Sequence, residues 1–443
     1  MLKTINVSGF KSLEEFELEF RPGLNVIVGP NGSGKTNIIN FLEFLSHLSR
    51  GPLLEAVSRS GGAGNIFRRQ SDRRLQRRIS LKVAGEGRFK DIRKVDEDYV
   101  NYEYEANIVL SNNNSSISFE QQRIKVAVAP IGESKKSNQN WGVDIEFKYK
   151  SGARGHVEIT WHSFDQKLIV EPPSSRKKDS AGEIRARIEE ALSESENYSV
   201  YQILTRFVRS LRLITRDLLS AKSFNISPAI VRQPEDIASV PQIAANGAGL
   251  AATMFMLKNA PRSTDFDYYY EGGEANEILS KILEYSRIVN DAILGISVEP
   301  DTIENKLRIF VTVRYGRGKL KLPFGLVSDG TAKWFALIAA ILMTRSIFAI
   351  EEPENYLHPL MQREIVQIVR RTFETEPRNL FAVITTHSET ILNCVDPEEL
   401  IIVHMEDGRS LAKRPSNADD IRNEIRNSGF GAGYYYLAGA IET

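Results

Sequence analysis

The chain has 443 residues, 42% of them hydrophobic, and its 57 lysines and arginines balance 57 aspartates and glutamates. This length predicts two or three average domains with a sizeable core. The neutral balance excludes a chain that is basic or acidic throughout, so a nucleic-acid or membrane surface would have to be a local patch. The single cysteine, Cys394, excludes an internal disulfide framework. With no signal-peptide pattern and no comfortable membrane span, we expect a cytoplasmic protein without a membrane partner.

The predicted elements change character along the chain. Residues 5–7 and 16–20 alternate as a strand hairpin, and residues 24–28 form a short buried strand. Strict alternation recurs from residue 79 to 170 and predicts an antiparallel sheet. Helical periodicity follows, without the sustained heptads of a long coiled coil. The C-terminal part alternates helix and strand in α/β fashion.

A phosphate-binding loop follows the buried strand. The motif comprises Gly29, Pro30, Asn31, Gly32, Ser33, Gly34, Lys35 and Thr36. Its glycines let backbone N–H groups close around a β-phosphate at a helix N-terminus. Lys35 would reach the β- and γ-phosphates and Thr36 would hold Mg²⁺. The flanking strand and helix disfavour a chance match in a glycine-rich turn.

Two later strands end in polar residues suited to nucleotide hydrolysis. Residues 347–350 precede Glu351 and Glu352, which alternation points in different directions. We assign Glu351 to the metal and Glu352 to the attacking water. Residues 380–384 precede Thr-Thr-His-Ser, in which His387 can bond the γ-phosphate or the water. The alternative is a core histidine.

A Ser-Asp-Gly-Thr turn opens the helix at residues 333–343. The turn comprises Ser328, Asp329, Gly330 and Thr331. Taken alone it is an N-capped helix. Its position between the phosphate loop and the carboxylate pair favours a functional role.

The order of these motifs resembles the ABC-type ATPase heads of the RecF and SMC kind, and more closely the predicted AAA-type ATPases grouped with OLD-family proteins. Residues 5–12, 23–32 and 225–232 are also of that type. The resemblance covers most of the chain. It implies an α/β ABC-type P-loop ATPase head that uses ATP and Mg²⁺. We expect a split ATPase core at residues 1–50 and 298–443, an inserted antiparallel β lobe at 51–175, and a helical insert at 176–297.

The resemblance also implies that two heads sandwich two ATP molecules, as a homodimer or a higher homo-oligomer. Residues 328–331 of one subunit would contact the γ-phosphate bound by the other, and Asn355 would lie in the loop that crosses the interface. His387 would be the switch histidine. Gln233 is the candidate for the glutamine loop, against the alternative of a plain surface glutamine. The chain departs from the usual pattern in Glu351, where many ABC heads have aspartate, and in its Ser-Asp-Gly-Thr signature.

Three functions are compatible with these sequence motifs. The first is an ATP-hydrolysing scaffold and switch for a separate effector, a nuclease or toxin, in anti-phage defence. Only about fifty residues follow His387, too few for the Toprim nuclease domain of stand-alone OLD-like enzymes. The second is a DNA-binding ATPase of the RecF and SMC type in DNA repair. The third, a transporter motor subunit, is disfavoured by the signature and the opening segment.

An arginine-rich run is the sequence feature that favours DNA. It contains Arg68, Arg69, Arg73, Arg74, Arg77 and Arg78. These side chains can neutralise phosphates of double-stranded DNA. A solvated or partner-facing arginine loop explains the run equally well. Two tyrosine clusters, at 268–270 and 434–436, are candidate interface anchors, although buried packing is the commoner use of such residues.

Overall fold

The computed structural model describes residues 1–70, 72, 74–90, 97–112, 116–130, 141–149, 157–165, 168, 181–219, 222–259, 272–344, 347–374 and 380–441. In chain order the strands are β1 (Leu2–Ser8), β2 (Phe16–Glu19), β3 (Gly23–Val28), β4 (Arg78–Lys90), β5 (Glu97–Leu110), β6 (Ile117–Pro130), β7 (Val143–Tyr149), β8 (Val157–Phe164), β9 (Lys222–Phe224), β10 (Glu235–Asp236), β11 (Ile293–Asp301), β12 (Lys306–Tyr315), β13 (Gly318–Pro323), β14 (Phe348–Glu351), β15 (Phe381–Thr385), β16 (Leu400–Glu406) and β17 (Arg409–Lys413).

The helices are α1 (Lys35–Arg50), α2 (Leu53–Arg59), α3 (Ala63–Ile66), α4 (Ala181–Ser193), α5 (Val200–Leu204), α6 (Arg212–Leu219), α7 (Pro228–Val231), α8 (Leu250–Asn259), α9 (Gly272–Val289), α10 (Asp329–Met343), α11 (Pro359–Glu374), α12 (Glu389–Leu392), α13 (Ala418–Ser428) and α14 (Ala432–Leu437). The longest helix in the described ranges, α9, has 18 residues. The predicted absence of a long coiled coil is confirmed for this part of the chain. No helix among the described residues is long and apolar enough to cross a bilayer.

A six-stranded sheet forms the centre of the fold, with the strand order β17-β16-β3-β15-β14-β9. The pairs from β16 to β9 are parallel, and β17 is an antiparallel edge strand. Strands β3, β14 and β15 are nearly continuous apolar runs because both faces of the sheet are covered. Ile27 belongs to the core shared with α1, whereas Val26 and Val28 belong to the core shared with α10 and α11.

A seven-stranded antiparallel sheet has the order β2-β1-β4-β5-β6-β7-β8. The alternating pattern of the sequence produces it, because one face packs into the core while the other carries cross-strand ion pairs such as Lys82 with Glu103 and Glu105. The predicted N-terminal hairpin is present and joins this sheet through the pairing of β1 with β4. The predicted α/β class with an inserted antiparallel sheet is confirmed.

A smaller antiparallel sheet has the order β10-β12-β11, with β13 also paired to β12. It packs with α8, α9 and α10 in a common core. The structure shows two strand placements that cut across the predicted division of the chain. Strand β9, inside the predicted helical insert, completes the central sheet, and β12 and β13, inside the predicted ATPase core, belong to the smaller sheet. The domain boundaries themselves stay a prediction.

Candidate functional site

The predicted phosphate loop joins β3 to α1, and close contacts explain its glycines. A Cβ atom on Gly29 would lie 2.0 Å from the carbonyl oxygen of Val403, and one on Gly34 would lie 1.9 Å from Ser410 Oγ. Gly34 also has a φ of 103°, in the left-handed region that favours glycine. The chain can therefore enter α1 in this conformation only with glycine at these two positions.

A chain of hydroxyl groups forms the floor of this loop. Ser410 Oγ donates to the carbonyl oxygen of Ser33 at 2.8 Å, and the hydroxyls of Ser410 and Ser12 lie 2.6 Å apart. Asn37 Nδ2 donates to Ser12 Oγ at 2.7 Å. No motif in the sequence pointed to Ser410, which lies on β17, an edge strand of the central sheet. The loop is thus held from behind by the C-terminal hairpin of β16 and β17.

Lys35 is poised inside the loop. Its side chain is 6% exposed, and Nζ donates to the carbonyl oxygens of Gly29 at 2.9 Å and Pro30 at 3.0 Å. Burial lowers the pKa of Lys35, against the opposing attraction of Glu352 and Glu354. The hydroxyl of Ser33 is buried and has no hydrogen-bond partner among the residues that the structure describes. A buried ammonium group and an unsatisfied hydroxyl in a glycine-rich turn fit the phosphates of a nucleotide.

The parallel register brings the later motifs to the same edge of the sheet. Glu351 pairs with Thr385, and Thr385 pairs with Ile27 next to the phosphate loop. The carboxyl ends of β3, β14 and β15 consequently meet there. Thr36 and Glu351, the two residues predicted to hold the metal, lie close enough for the Thr36 side chain to lower the pKa of Glu351.

The environment of Glu351 suits a divalent cation. Burial, followed by the negative charge of Glu43, raises the pKa of Glu351 to about 7, whereas Thr36 and Lys11 act in the opposite direction. Crowded carboxylates in a half-buried site are stabilised by a bound cation. The oxygen ligands offered by Thr36 and Glu351 match the preference of Mg²⁺, which usually retains waters and phosphate oxygens as its other ligands.

Glu352 sits in a strained backbone conformation just beyond β14. Its φ of 42° is unusual for a residue other than glycine. Its amide donates to the carbonyl oxygen of Thr385 at 3.0 Å, and its Oε2 accepts from Asn355 Nδ2 at 3.0 Å. Lys333 Nζ donates to the Glu352 carbonyl oxygen at 3.2 Å. The surroundings thus hold both the backbone and the carboxylate of this residue, as is common for strained functional positions.

Glu354 ties this loop to the segment that carries His387. Its Oε1 accepts from Thr386 Oγ1 at 3.0 Å and from the amide of His387 at 2.7 Å. The imidazole of His387 itself is exposed. Glu354 is a residue that the sequence reasoning passed over. Its presence in the Glu-Glu-Pro-Glu run, next to a Thr-Thr-His-Ser strand end, was the available signal.

The Ser-Asp-Gly-Thr turn forms the start of α10, far along the chain from the phosphate loop. Ser328 is the N-cap, and its Oγ accepts from the amide of Thr331 at 3.2 Å. Arg232 Nη1 pairs with Asp329 Oδ1 at 2.6 Å. A Cβ atom on Gly330 would lie 2.7 Å from the carbonyl oxygen of Tyr356, so glycine permits the close approach to the loop after Glu354. In the described part of the chain, the hydrogen bonds at this turn are made within the turn and with Arg232. None of them joins the turn to the phosphate loop at residues 29–36.

Asn225 lies at the nucleotide edge, and the sequence reasoning did not select it. Strand β9 runs parallel to β14 with Phe224 opposite Ile350, so the next residue, Asn225, follows alongside Glu351. Asn225 is exposed there. Gln233, the predicted glutamine-loop residue, is exposed beyond α7 and adjoins Arg232. A three-residue strand is too short for periodicity to detect, which explains the omission.

The comparisons with known proteins agree with these motifs. A family model described as "AAA domain, putative AbiEii toxin, Type IV TA system" matches residues 24–393. The chain belongs to this AAA family. The predicted likeness to RecF and SMC ATPases is also confirmed.

Relatives of this AAA chain match it over short stretches. The DNA replication and repair protein RecF of Corynebacterium jeikeium (strain K411) is 44% identical over 48 residues, which are 11% of this chain and 11% of that protein. The chromosome partition protein Smc of Lactiplantibacillus plantarum is 47% identical over 45 residues, 10% of this chain and 4% of that protein. The chain thus aligns with only about a tenth or less of the length of these relatives.

Two solved structures are similar to the AAA chain at low identity. The SMC head bound to the C-winged helix domain of ScpA is 13% identical, with a TM-score of 0.48 over 93% of this chain and 97% of that chain. The SMC head domain from Thermotoga maritima is 13% identical, with a TM-score of 0.39 over 93% of this chain and 98% of that chain.

The arginine-rich run of the AAA chain is engaged in contacts within the chain. Arg78 pairs with Glu120 at 2.6 Å, and Arg77 donates to Asn112. The other described members make longer contacts, Arg68 with the Ser12 carbonyl oxygen at 3.3 Å, Arg69 with the Gly64 carbonyl oxygen at 3.4 Å and Arg74 with Asp72 at 3.5 Å. Arg73 and the tyrosines at 268–270 lie outside the described residues. The described arginines of this run therefore each make a contact within the chain.

The second tyrosine cluster combines packing with exposure. Tyr435 is buried, whereas Tyr434 is exposed and stacks on Phe430 with ring centroids 4.4 Å apart. Tyr436 is partly buried against the core. Tyr435 therefore packs in the core, and the role of Tyr434 as an interface anchor stays a prediction.

Replacement of Glu351 with glutamine is expected to raise the melting temperature of the nucleotide-free protein at pH 8. Because the pKa of Glu351 is raised above the ordinary 4.5 to about 7, the folded state binds more protons than the unfolded state between these values, and stability falls as pH rises through that window. Glutamine removes the penalty on the ionised form. Thermal melts in EDTA at pH 8 and pH 5 measure the effect.

The gain should shrink at pH 5, where folded Glu351 is already protonated. Glu406→Gln, on an exposed carboxylate, is the matched control and should show no such pH-dependent gain. A melting temperature of Glu351→Gln that is unchanged or lower at pH 8 would contradict the assignment of electrostatic strain to this residue.

Proposed function

We propose that this chain hydrolyses ATP as a closed dimer and that the cycle switches a separate effector, a nuclease or toxin, in anti-phage defence. The observation that carries the ATPase part is the convergence of the phosphate loop, Thr36, Glu351, Glu352 and the His387 segment on one edge of the central sheet. A loop that binds phosphates next to a buried acidic strand end is the arrangement that phosphoryl transfer to water needs.

Each residue of the proposed ATPase site has its own role in the reaction. Lys35 and the loop amides bind the phosphates, and Thr36 and Glu351 would hold Mg²⁺, which would neutralise charge on the phosphates. Glu352 accepts a proton from the attacking water as the new bond to the γ-phosphorus forms and the bond to the ADP oxygen breaks. Asn355 orients the carboxylate of Glu352 through their hydrogen bond. His387 contacts the γ-phosphate.

The surface around the Ser-Asp-Gly-Thr turn supports dimerisation. Ser328 and Asp329 are exposed, and the neighbouring Leu326 and Tyr356 are 71% and 64% exposed. Large apolar side chains that rim an exposed helix N-terminus suit an interface that closes over an anionic ligand. We assign that ligand to the γ-phosphate held by a second copy of this chain.

The family description associates this AAA domain with toxin–antitoxin systems. It reads "putative AbiEii toxin, Type IV TA system" for the matched residues themselves. We extend that description to an ATP-controlled switch in which the closed dimer and the open monomer present different surfaces to the effector. A cytoplasmic location, without a membrane partner, completes the proposal.

The first experiment is steady-state phosphate release by the purified protein with Mg·ATP, with and without linear double-stranded DNA at low salt. Glu352→Gln provides the blank. Turnover above that blank, accompanied by ATP-dependent dimerisation in light scattering, is the expected result. A protein that binds ATP without releasing phosphate above the blank would overturn the ATPase proposal.

DNA binding is the second candidate, and the names of the RecF and Smc relatives favour it. If it is correct, DNA stimulates turnover and the combined Arg69→Gln and Arg74→Gln substitutions weaken DNA binding. The logarithm of the binding constant should then fall less steeply with salt, with the slope reduced by about 1 to 2 because one or two phosphate contacts are lost. Fluorescence anisotropy at several salt concentrations measures it.

The matched control removes two exposed arginines elsewhere, Arg314 near the end of β12 and Arg317 in the turn that follows it. Equal losses in the two double variants would show that only the overall charge matters. Turnover that is indifferent to DNA would favour the effector switch.

A further inference from the structure

Lys333 is a buried lysine on the helix that starts at the Ser-Asp-Gly-Thr turn. It lies one helical turn after Asp329 on α10 and is 2% exposed. Its ammonium group donates to the carbonyl oxygen of Glu352 at 3.2 Å and lies 6.0 Å from the ring centroid of Tyr356. Burial lowers the pKa of Lys333 to about 8, against the opposing attraction of Glu354 and Glu352. A charged group is rarely kept at such a position without a specific partner.

Glu354 provides the opposite charge, and its hydrogen bonding is incomplete. Oε1 accepts from the Thr386 hydroxyl and the His387 amide, whereas Oε2 is buried and, within the described ranges, has no hydrogen-bond partner. Lys333 has three N–H donors, of which one is used for Glu352. Lys333 therefore has unused donors and Glu354 has an unused acceptor, and the opposite charges of these two side chains attract each other. A buried polar network that is only partly satisfied is costly, so a contact between these two groups would lower its free energy.

These contacts connect three parts of the molecule. Lys333 lies on the helix that begins at the exposed turn, Glu352 is the residue proposed to activate water, and Glu354 accepts a hydrogen bond from the amide of His387. The carbonyl oxygen that Lys333 binds belongs to the strained peptide of Glu352, whose φ is 42°. A shift of α10 would consequently be felt first at Glu352 and at the segment of His387.

We propose that Lys333 and Glu354 are positioning residues that transmit occupancy of the Ser-Asp-Gly-Thr turn to Glu352 and His387 of the same subunit. The inference rests on the proposed ATPase function. Contact of the turn with the phosphate bound by the second copy shifts α10, and Lys333 closes onto the free Oε2 of Glu354 while it keeps the Glu352 carbonyl in place. Each subunit thereby hydrolyses its ATP only when its own Ser-Asp-Gly-Thr turn contacts the phosphate bound by the other subunit.

The test compares Lys333→Met with the unsubstituted protein. We expect kcat to fall about 10- to 100-fold, the range that small misplacement of a reacting group produces. The dissociation constant for a fluorescent ATP analogue should stay within about twofold, because Lys333 does not reach the phosphate loop. The dependence of turnover on protein concentration should weaken, since engagement of the turn no longer reaches Glu352. A merely structural lysine would change the melting temperature without this separation of kcat from ATP affinity.

Lys321→Met is the matched control. Like Lys333, Lys321 lies over an aromatic ring, with its Nζ 4.4 Å from the Phe310 ring centroid; it pairs with Glu299 and lies on β13 of the small sheet. Its substitution should leave kcat unchanged. If Lys333→Met fails to fold, Glu354→Gln tests the same link from the other side, and we expect it to lower kcat without affecting ATP affinity.

A double-mutant cycle completes the experiment. Lys333→Met and Glu354→Gln should be non-additive, with the double variant little worse than the worse single one, because both interrupt one connection. Independent, multiplicative losses would overturn the inference. So would an unaltered kcat of Lys333→Met in a protein that hydrolyses ATP, and that outcome would leave the proposed ATPase function standing. Absence of turnover in the unsubstituted protein would overturn both.

Discussion

Glu352→Gln is expected to lower ATP turnover by about a thousandfold while ATP still binds, because general-base catalysis contributes about 10² to 10⁴ and glutamine cannot accept the proton from water. The amide keeps the shape of the side chain and a polar atom for Asn355, whose Nδ2 bonds the carboxylate at 3.0 Å. The phosphate loop and Lys35 are untouched. ATP therefore remains bound, and the protein should accumulate as a closed dimer.

Two measurements check this result. Phosphate release gives the turnover, and light scattering with ATP gives the mass of the particle. Glu424→Gln, on an exposed carboxylate of α13, should behave as the unsubstituted protein. Full turnover by Glu352→Gln would remove Glu352 from the role of base. The trapped dimer is also the form with which to capture the effector, since its ATP-dependent surface persists.

Lys35→Ala is expected to weaken ATP binding by about 100-fold, because charge-assisted hydrogen bonds to phosphate are worth about 1.5–3 kcal/mol each. In the structure Nζ already faces the loop interior, where it bonds the carbonyl oxygens of Gly29 and Pro30. Alanine removes both the charge and the reach toward the phosphates. Titration with a fluorescent ATP analogue measures the loss, and turnover at subsaturating ATP should disappear.

The fold should survive this substitution. Burial lowers the pKa of Lys35, which means that the buried charge costs the folded state some stability. Alanine removes this cost, and the gain offsets the loss of the two hydrogen bonds to carbonyl oxygens. Lys319→Ala, on an exposed lysine of β13, is the control for removal of a positive charge. A collapsed melting profile for Lys35→Ala would show that this lysine holds the loop together, and its effect on ATP would then carry no information on binding.

The sequence predicted the local parts of this site well. The phosphate loop, the Glu351–Glu352 pair and the His387 segment each lie within a contiguous run whose neighbours form a strand or a helix, and parallel pairing then brings them to one edge. Local residue order is sufficient for such features because backbone geometry alone positions the side chains. The α/β class and the antiparallel sheet followed from the same periodicities.

The parts that were missed depend on contacts between distant residues. Ser410 reaches Ser12 across 398 residues of chain, and Arg232 pairs with Asp329 after a long excursion through α8 and α9. Asn225 follows a strand of three residues that shows no periodicity of its own. Periodicity reports which face of an element is apolar, and it carries no information about which distant polar group will meet it. Lys333 was hidden for the same reason, inside an otherwise apolar helix.

The floor of the phosphate loop has a consequence for the order in which the chain is made. The carbonyl oxygen of Ser33 receives its hydrogen bond from Ser410, 377 residues later. A ribosome that adds about 5–20 residues per second needs roughly 20 to 75 seconds to cover that distance. During this interval the nascent chain has its phosphate loop but not the strand that closes it from behind. A chain that stops before residue 410 therefore lacks the hydroxyl group that closes the phosphate loop from behind.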